Sequence, residues 1–135
     1  MTHGENGLRS RIRIIGIDPG AIYSGFALYD HEAAEFTQWG ETEDPCVLMQ
    51  FIVLNQPAVV ALEDFIGAGV LNKERNRTIQ ILGYVRFSCT EQQISCYVRP
   101  PQRRLAYVSK VPRQINRKDE RSAAAHALSF LEEFY

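Results

Sequence analysis

Carboxylates stand at the ends of two of the most apolar segments of this chain. Asp18 closes the run RIRIIGID, and Glu63 closes the run AVVALE. A third acid, Asp119, opens the C-terminal segment DERSAAAHALSF and lies three residues before Ser122. Acids brought together without basic partners repel one another, and their pKa values rise unless a cation joins them. Oxygen ligands of this kind suit Mg²⁺ or Mn²⁺, so the pattern predicts a divalent metal site at Asp18, Glu63 and Asp119.

Each of these acids also has an ordinary structural explanation. Asp18 precedes a Pro-Gly pair, and Asp-Pro and Pro-Gly are strong turn formers. Glu63 and Asp64 could be a pair of solvated acids that end a strand. Asp119 suits the N-cap or first turn of a helix, where the helix dipole favours negative charge. These explanations leave open why two such apolar strands both end in acids.

The spacing of apolar residues predicts the elements that would bring the acids together. The predicted strands are residues 11–18, 25–30, 34–41, 58–65 and 94–100, and the predicted helices are residues 45–55, 78–93 and 119–135. This order indicates an α/β fold with a mixed five-stranded sheet, an antiparallel meander followed by parallel strands, and helices on both faces. If the first and fourth strands are parallel neighbours, Asp18 and Glu63 leave the sheet at the same edge. Residues 109–118 have no periodicity and are predicted to form an irregular, mobile segment.

Length and composition favour one globular domain. The 135 residues are 45% hydrophobic and 23% charged, which is ordinary for a soluble protein, and we expect a domain at residues 11–135 after a tail at residues 1–10. The three cysteines form no CxxC pair, which argues against a disulfide framework or a zinc site and favours a reducing, intracellular setting. No run approaches the roughly 18 apolar residues of a membrane span, and residues 1–11 contain no apolar run, so we expect neither a membrane partner nor export.

The net charge of −1 conceals a division along the chain. Residues 1–70 hold 3 Lys and Arg against 10 Asp and Glu, whereas residues 71–135 hold 12 against 6. Eight of those cations lie between Arg99 and Arg121. Such a concentration favours a surface that faces a polyanion, although a solvated basic loop would have the same composition.

Three segments follow one another along the chain: IIGIDPGAIYSGFAL at residues 14–28, VVALEDF at residues 59–65 and DERSAAAHAL at residues 119–128. In content and order they resemble the motifs of RuvC-type Holliday-junction resolvases in the RNase H-like superfamily, especially the short phage and bacterial members. The resemblance implies an RNase H-like fold, a cytoplasmic location in a bacterial or phage-infected cell, and metal ligation by Asp18, Glu63 and Asp119. It also implies a crossover-junction endodeoxyribonuclease that depends on Mg²⁺, with two ions per active site and Mn²⁺ as an alternative.

The chain departs from the family at Ser122. In the family the last helix usually carries two metal-facing groups three residues apart, whereas the second of them is here a serine, a poor ligand. Ser122 keeps a place among the candidate catalytic residues, and Glu120 or Asp64 are candidates to replace the missing ligand. His126 lies one turn further along and either faces the site or packs elsewhere.

The implied mechanism needs cations and a partner. Two ions roughly 4 Å apart would be bridged by Asp18 and would act on a phosphodiester. The cations expected to hold branched DNA are Lys73, Arg75 and Arg77 in the loop after the fourth strand, and Arg99, Arg103, Arg104, Lys110, Arg113, Arg117 and Lys118 before the last helix. Phe65, Ile66 and Val70 are candidates for a wedge that opens a junction. Symmetric cutting of a four-way junction implies a homodimer, for which the helix at residues 78–89 offers apolar side chains on more than one face.

Two other functions fit the same residues. An RNase H-like nuclease could act on RNA–DNA hybrids, flaps or forks, because a fold does not fix a substrate. Alternatively, loss of a metal ligand at Ser122 would leave a junction-binding module without catalysis.

Overall fold

Residues 12–64 and 73–135 are described by the structure, which is a computed structural model. The strands are β1 (Arg13–Asp18), β2 (Ser24–Asp30), β3 (Glu35–Thr42), β4 (Val59–Glu63) and β5 (Ser95–Arg99), and the helices are α1 (Pro45–Asn55), α2 (Lys73–Glu91) and α3 (Lys118–Phe134). Two 3₁₀ turns, Pro101–Arg104 and Val108–Lys110, connect β5 to α3. The predicted tail at residues 1–10 and the candidate wedge residues Phe65, Ile66 and Val70 lie outside the described residues.

The five strands form one mixed sheet in the order β3-β2-β1-β4-β5. β1 pairs antiparallel with β2, and β2 pairs antiparallel with β3, which is the predicted meander. β4 is parallel to both β1 and β5. The predicted α/β class and mixed sheet are confirmed.

Helices cover both faces of this sheet, and side chains alternate between them. Ile15 and Ile17 of β1 pack in the core that contains residues of α1 and α2, whereas Ile14 packs in the core that contains residues of α3. In β4, Val60 and Leu62 belong to the first of these cores, and Val59 and Ala61 belong to the second. Because successive side chains of a strand point to opposite faces, this pattern also fixes the direction of the residue that ends each strand.

α3 lies unusually close to the sheet. Its buried residues include alanine at positions 123, 124, 125 and 127. Beneath it, a Cβ added at Gly16 of β1 would lie 1.9 Å from the carbonyl oxygen of Ala123. Small side chains on the helix and a glycine in the strand therefore set the short distance between the two elements.

The predicted start of the second helix, at residue 78, is wrong. α2 begins at Lys73, so the candidate DNA-binding residues Lys73, Arg75 and Arg77 lie on a helix rather than in a loop. The stretch KERNR has no apolar position to reveal a helical period, although Lys, Glu and Arg are good helix formers.

The irregular segment before α3 is anchored rather than loose. Val111 and Ile115 are buried in the core beneath α3. The Arg121 guanidinium donates hydrogen bonds to the backbone carbonyls of Val108, Val111, Pro112 and Ile115, which ties the segment to the helix. None of the described helices is long and apolar enough to cross a bilayer.

Candidate active site

Asp18 and Glu63 lie side by side at one edge of the sheet. β1 and β4 are parallel, and Ile17 of β1 pairs with Leu62 of β4, so the next residue of each strand is one of these acids. The two-residue alternation turns both carboxyl groups toward α3. The predicted convergence of these strand ends is confirmed.

Gly25 allows the first turn of α3 to lie directly over this edge. Gly25 of β2 pairs with Asp18. A Cβ at this position would lie 2.1 Å from the carbonyl oxygen of Asp119 and 2.8 Å from the nitrogen of Glu120. Only a residue without a side chain leaves room for the helix backbone. The backbone of Asp119, whose side chain is half-buried, is thereby held against Gly25, the residue that pairs with Asp18.

α3 also presents Ser122 and His126 to the two strand-end acids. Ser122 is 6% exposed, and its hydroxyl hydrogen-bonds with the Asp18 carboxyl. His126 is fully buried, and its Nε2 lies 3.0 Å from Glu63 Oε1. Because these two residues are four apart, they lie on one face of the helix and reach adjacent acids.

Burial determines the protonation of His126. It lowers the pKa of the imidazole to about 4, so the ring is neutral at pH 7. The Glu63 carboxylate can only accept, and Nε2 therefore carries the proton and donates it. Nδ1 is left as an acceptor that has no hydrogen-bond partner among the described residues.

The carboxyl groups share too little positive charge to be ionised together. Burial, followed by the hydrogen bond and the charge of Glu63, raises the pKa of Asp18 to about 8. Hydrogen bonding from Ser122 and the positive charge of Arg104 act in the opposite direction. The pKa of Asp119 is also raised, first by burial and then by the charges of Asp18 and Glu41. At neutral pH the metal-free site therefore holds a proton on Asp18.

Arg104 occupies the space between the strand and the helix. Its Nη1 forms an ion pair with Glu63 Oε1 and lies 3.3 Å from Ser122 Oγ. The same side chain lines a cavity of about 410 Å³ together with Asp18, Val108, Asn116, Lys118, Arg121 and Ser122. The Asp18 carboxyl group thus lies in the wall of a cavity that is also lined by Arg104, Lys118 and Arg121.

An arginine supplies the positive charge nearest to the paired carboxyl groups. Among residues 12–64 and 73–135, no three side chains of Asp, Glu, His or Cys are arranged to hold a metal ion. However, the two adjacent carboxyl groups avoid a double negative charge at pH 7 in two ways, because Asp18 keeps a proton and a guanidinium binds Glu63. A divalent cation with a preference for oxygen ligands would favour the ionised form of both groups.

Glu120, one of the two candidate replacement ligands, is used to cap α3. Glu120 is 7% exposed, and its Oε1 accepts a hydrogen bond from the backbone N–H of Arg117 at 3.2 Å, which caps α3. Asp64 follows β4, and its backbone N–H donates to the carbonyl of Arg99 at 2.7 Å.

Several of the predicted DNA-binding cations already have protein partners. Arg117 Nη1 donates to Glu41 Oε1 at 2.7 Å, and Lys110 Nζ lies 3.6 Å from Glu132 Oε2. Arg77 donates to the carbonyl of Glu43 at 3.3 Å. Arg103, with side-chain exposure of 55%, lies 3.9 Å from Glu133, whereas Lys73, Arg113 and Lys118 are exposed and Arg75 is half-buried.

Arg99 does not face DNA. Its side chain is buried at 6% exposure and donates to Ser129 Oγ at 2.9 Å and Glu133 Oε2 at 2.5 Å. It therefore links the end of β5 to α3, and the expectation that it contacts phosphate is wrong.

Sequence reasoning missed Glu41, and it underestimated His126 and Arg104. Glu41 pairs with Gly25, which pairs with Asp18, so the two acids share one row of the sheet with a glycine between them. Strand pairing could have revealed Glu41. Nothing in the pattern of residues 100–117 indicates that Arg104 would contact Glu63.

The pKa values of Asp18 and His126 predict an unusual pH dependence of stability. Asp18 binds a proton in the folded protein from its ordinary pKa of 3.8 up to about 8, so folding takes up a proton and stability falls as pH rises through that range. His126 has a pKa of about 4 in the folded protein and an ordinary pKa of 6.5, so folding releases a proton between these pH values. Its contribution to stability therefore rises with pH up to about 6.5. We expect partial cancellation below pH 6.5 and then a fall of at most about 1.4 kcal/mol per pH unit up to pH 8. Urea unfolding in EDTA at a series of pH values would measure this change in the free energy of unfolding.

The Asp18→Asn variant provides the control for this effect. Asparagine cannot ionise, so the fall between pH 6.5 and 8 should disappear. A wild-type stability that stays constant or rises over that interval would contradict the assignment of a proton to Asp18.

Comparisons with known proteins find similar folds among solved structures but no match in sequence. No protein-family model matches the sequence, and no curated protein matches it. Among solved structures, a Thermus thermophilus RuvC in complex with Holliday junction substrate matches with a TM-score of 0.73 and 14% identity, covering 87% of this chain and 91% of that one. A second Thermus thermophilus RuvC structure matches with a TM-score of 0.65 and 14% identity, covering 87% and 92%. The resemblance that the three motifs indicated is confirmed at the level of structure, and this chain has the RNase H-like fold of RuvC.

Proposed function

We propose that this protein is a divalent-metal-dependent endonuclease that resolves four-way DNA junctions by paired phosphodiester hydrolysis. The observation that carries the proposal is the pairing of Asp18 and Glu63 at the ends of adjacent parallel strands, with the backbone of Asp119 packed against Gly25, the neighbour of Asp18 in the sheet. This arrangement occurs on the fold of a RuvC whose structure was determined with a Holliday junction substrate.

Asp18, Glu63 and Asp119 would hold Mg²⁺, or alternatively Mn²⁺, with two ions per site. When bound, such ions lower the pKa of water and stabilise the charge of the leaving oxygen. Asp18 gives up its proton as positive charge arrives, because its pKa is raised by burial and by Glu63. His126 orients the Glu63 carboxylate through Nε2, and Ser122 orients that of Asp18.

The cations of the second half of the chain would position DNA. Lys118 and Arg104 line the same cavity as Asp18, so a phosphodiester entering it would meet cations and carboxylates together. The wider contact surface comprises Lys73, Arg75, Arg77, Arg103, Lys110, Arg113 and Arg117. Contacts of this type fix the backbone without reading bases.

A homodimer would supply the second active site that symmetric cutting requires. On α2, Ile81, Val85 and Cys89 are buried, while Ile79, Tyr84 and Phe87 are 43%, 46% and 64% exposed. An exposed apolar face of this kind is typical of a subunit contact, and we assign it to a second copy of the chain.

Substrate selectivity tests the proposal. With Mg²⁺ present, we expect paired nicks at symmetric positions on a synthetic four-way junction and slower cutting of linear duplex, flap and RNA–DNA hybrid, because only the junction presents two strands to two sites. Gel analysis of end-labelled strands would measure the rates and positions. Equal cutting of all substrates would favour a general RNase H-like nuclease, and junction binding without cleavage would favour a binding module.

A further inference from the structure

Arg104 is delivered to the active site by the architecture of the sheet. β5 is parallel to β4, and Arg99 at its end pairs with Glu63. The 3₁₀ turn Pro101–Arg104 follows immediately and therefore begins at the edge where the carboxylates emerge. Its last residue bridges the two elements of the site through Glu63 and Ser122.

The ion pair satisfies a charge that would otherwise be buried alone. The Glu63 side chain is only 10% exposed, and its carboxylate receives one hydrogen bond from neutral His126 and one from the Arg104 guanidinium. A carboxylate at this depth without a cationic partner would be strongly destabilising. In the metal-free protein, Arg104 is therefore the counter-ion of Glu63.

We propose that Arg104 neutralises the Glu63 carboxylate when no divalent cation is bound and moves away from this carboxylate when the metal binds. Arg104 bonds to Glu63 Oε1, the same oxygen that accepts from His126, and its positive charge would repel a metal ion that binds this carboxylate. The guanidinium has an open route away, because its side chain is 32% exposed and lines the cavity. There it would meet the phosphodiester, so that metal binding and DNA binding reinforce each other through one side chain.

This exchange rests on the proposed metal-dependent function, but its test does not require DNA. Mn²⁺ would be titrated at constant pH into the full-length wild type, Arg104→Gln and Arg104→Lys, with free Mn²⁺ followed by electron paramagnetic resonance. Removing the competing charge should tighten Mn²⁺ binding by about tenfold, which corresponds to about 1.4 kcal/mol. Arg104→Lys keeps the charge and should remain close to wild type. Arg86→Gln, an exposed arginine on α2, removes the same charge far from the site and should leave the affinity unchanged.

Thermal unfolding separates this role from a purely structural one. Arg104→Gln should lower the Tm in EDTA, where Glu63 loses its counter-ion, and should match the wild type in saturating Mn²⁺. A structural role would lower the Tm under both conditions. Unchanged or weaker Mn²⁺ binding by Arg104→Gln, or no Mn²⁺ binding by either protein, would overturn the exchange. If Arg104→Gln binds Mn²⁺ more tightly but the wild type does not cleave a junction, the exchange would be supported. Only the nuclease proposal would then be contradicted.

Discussion

Asp18→Asn is expected to slow cleavage of a four-way junction by at least about 100-fold while junction binding is retained. Asparagine can accept a hydrogen bond from Ser122 but carries no charge, so it would hold a metal ion poorly. The substitution should not damage the fold. Since the pKa of Asp18 is about 8, the wild-type side chain is largely protonated at pH 7 without metal, and asparagine has nearly the same shape as the protonated acid. The measurements are single-turnover cleavage and gel-shift affinity in Mg²⁺.

Glu63→Gln should have a comparable effect on cleavage, because Glu63 occupies the neighbouring strand end. Glu35→Gln is the matched control. Glu35 is an exposed acid at the start of β3, at the end of the sheet opposite to Asp18. The Glu35→Gln variant should cleave the junction at the wild-type rate. If Asp18→Asn or Glu63→Gln cut the junction at the wild-type rate, that residue would be removed from the site.

Gly25→Ala is expected to reduce cleavage by a similar factor without touching any functional side chain. The new Cβ would lie 2.1 Å from the carbonyl oxygen and 2.2 Å from the carbonyl carbon of Asp119, and neither is a side-chain atom that could rotate away. The start of α3 must therefore move by about 1 Å, and a displacement of that size within a catalytic arrangement costs on the order of 100-fold. We also expect a loss of about 1–3 kcal/mol in unfolding free energy from overpacking.

Gly83→Ala separates this steric effect from the general effect of replacing a glycine. Gly83 lies within α2, and a Cβ there would have no atom within 4 Å. The substitution should raise stability by about 0.5–1 kcal/mol, since alanine is the better helix former. Urea unfolding of both variants beside the wild type would measure the contrast. A Gly25→Ala protein as active and stable as the wild type would show that α3 is not held by this contact.

The parts of the site that could be predicted from sequence are those that lie at the ends of continuous apolar runs. Continuous apolar runs rich in β-branched residues located β1 and β4, and an acid at the end of each run followed directly. The parallel pairing that brings Asp18 beside Glu63 followed from the order of strands and helices. For these residues, local pattern and tertiary structure agree.

The remaining contacts depend on register and on irregular backbone. Glu41 reaches the row of Asp18 only because β2 and β3 pair in one particular alignment. Arg104 reaches Glu63 from a 3₁₀ turn whose sequence has no periodicity. The depth of His126 depends on how closely α3 approaches Gly16 and Gly25, and no local sequence pattern indicates that distance.

The four carbonyl bonds of Arg121 bear on how the basic segment before α3 would recognise a ligand. A segment without regular secondary structure commonly loses conformational entropy when it binds, and the affinity falls accordingly. Here that ordering is completed during folding, by one guanidinium and two buried aliphatic side chains. The spacing of the cations along it is therefore preorganised, and a flexible polyanion would adapt its shape to this template.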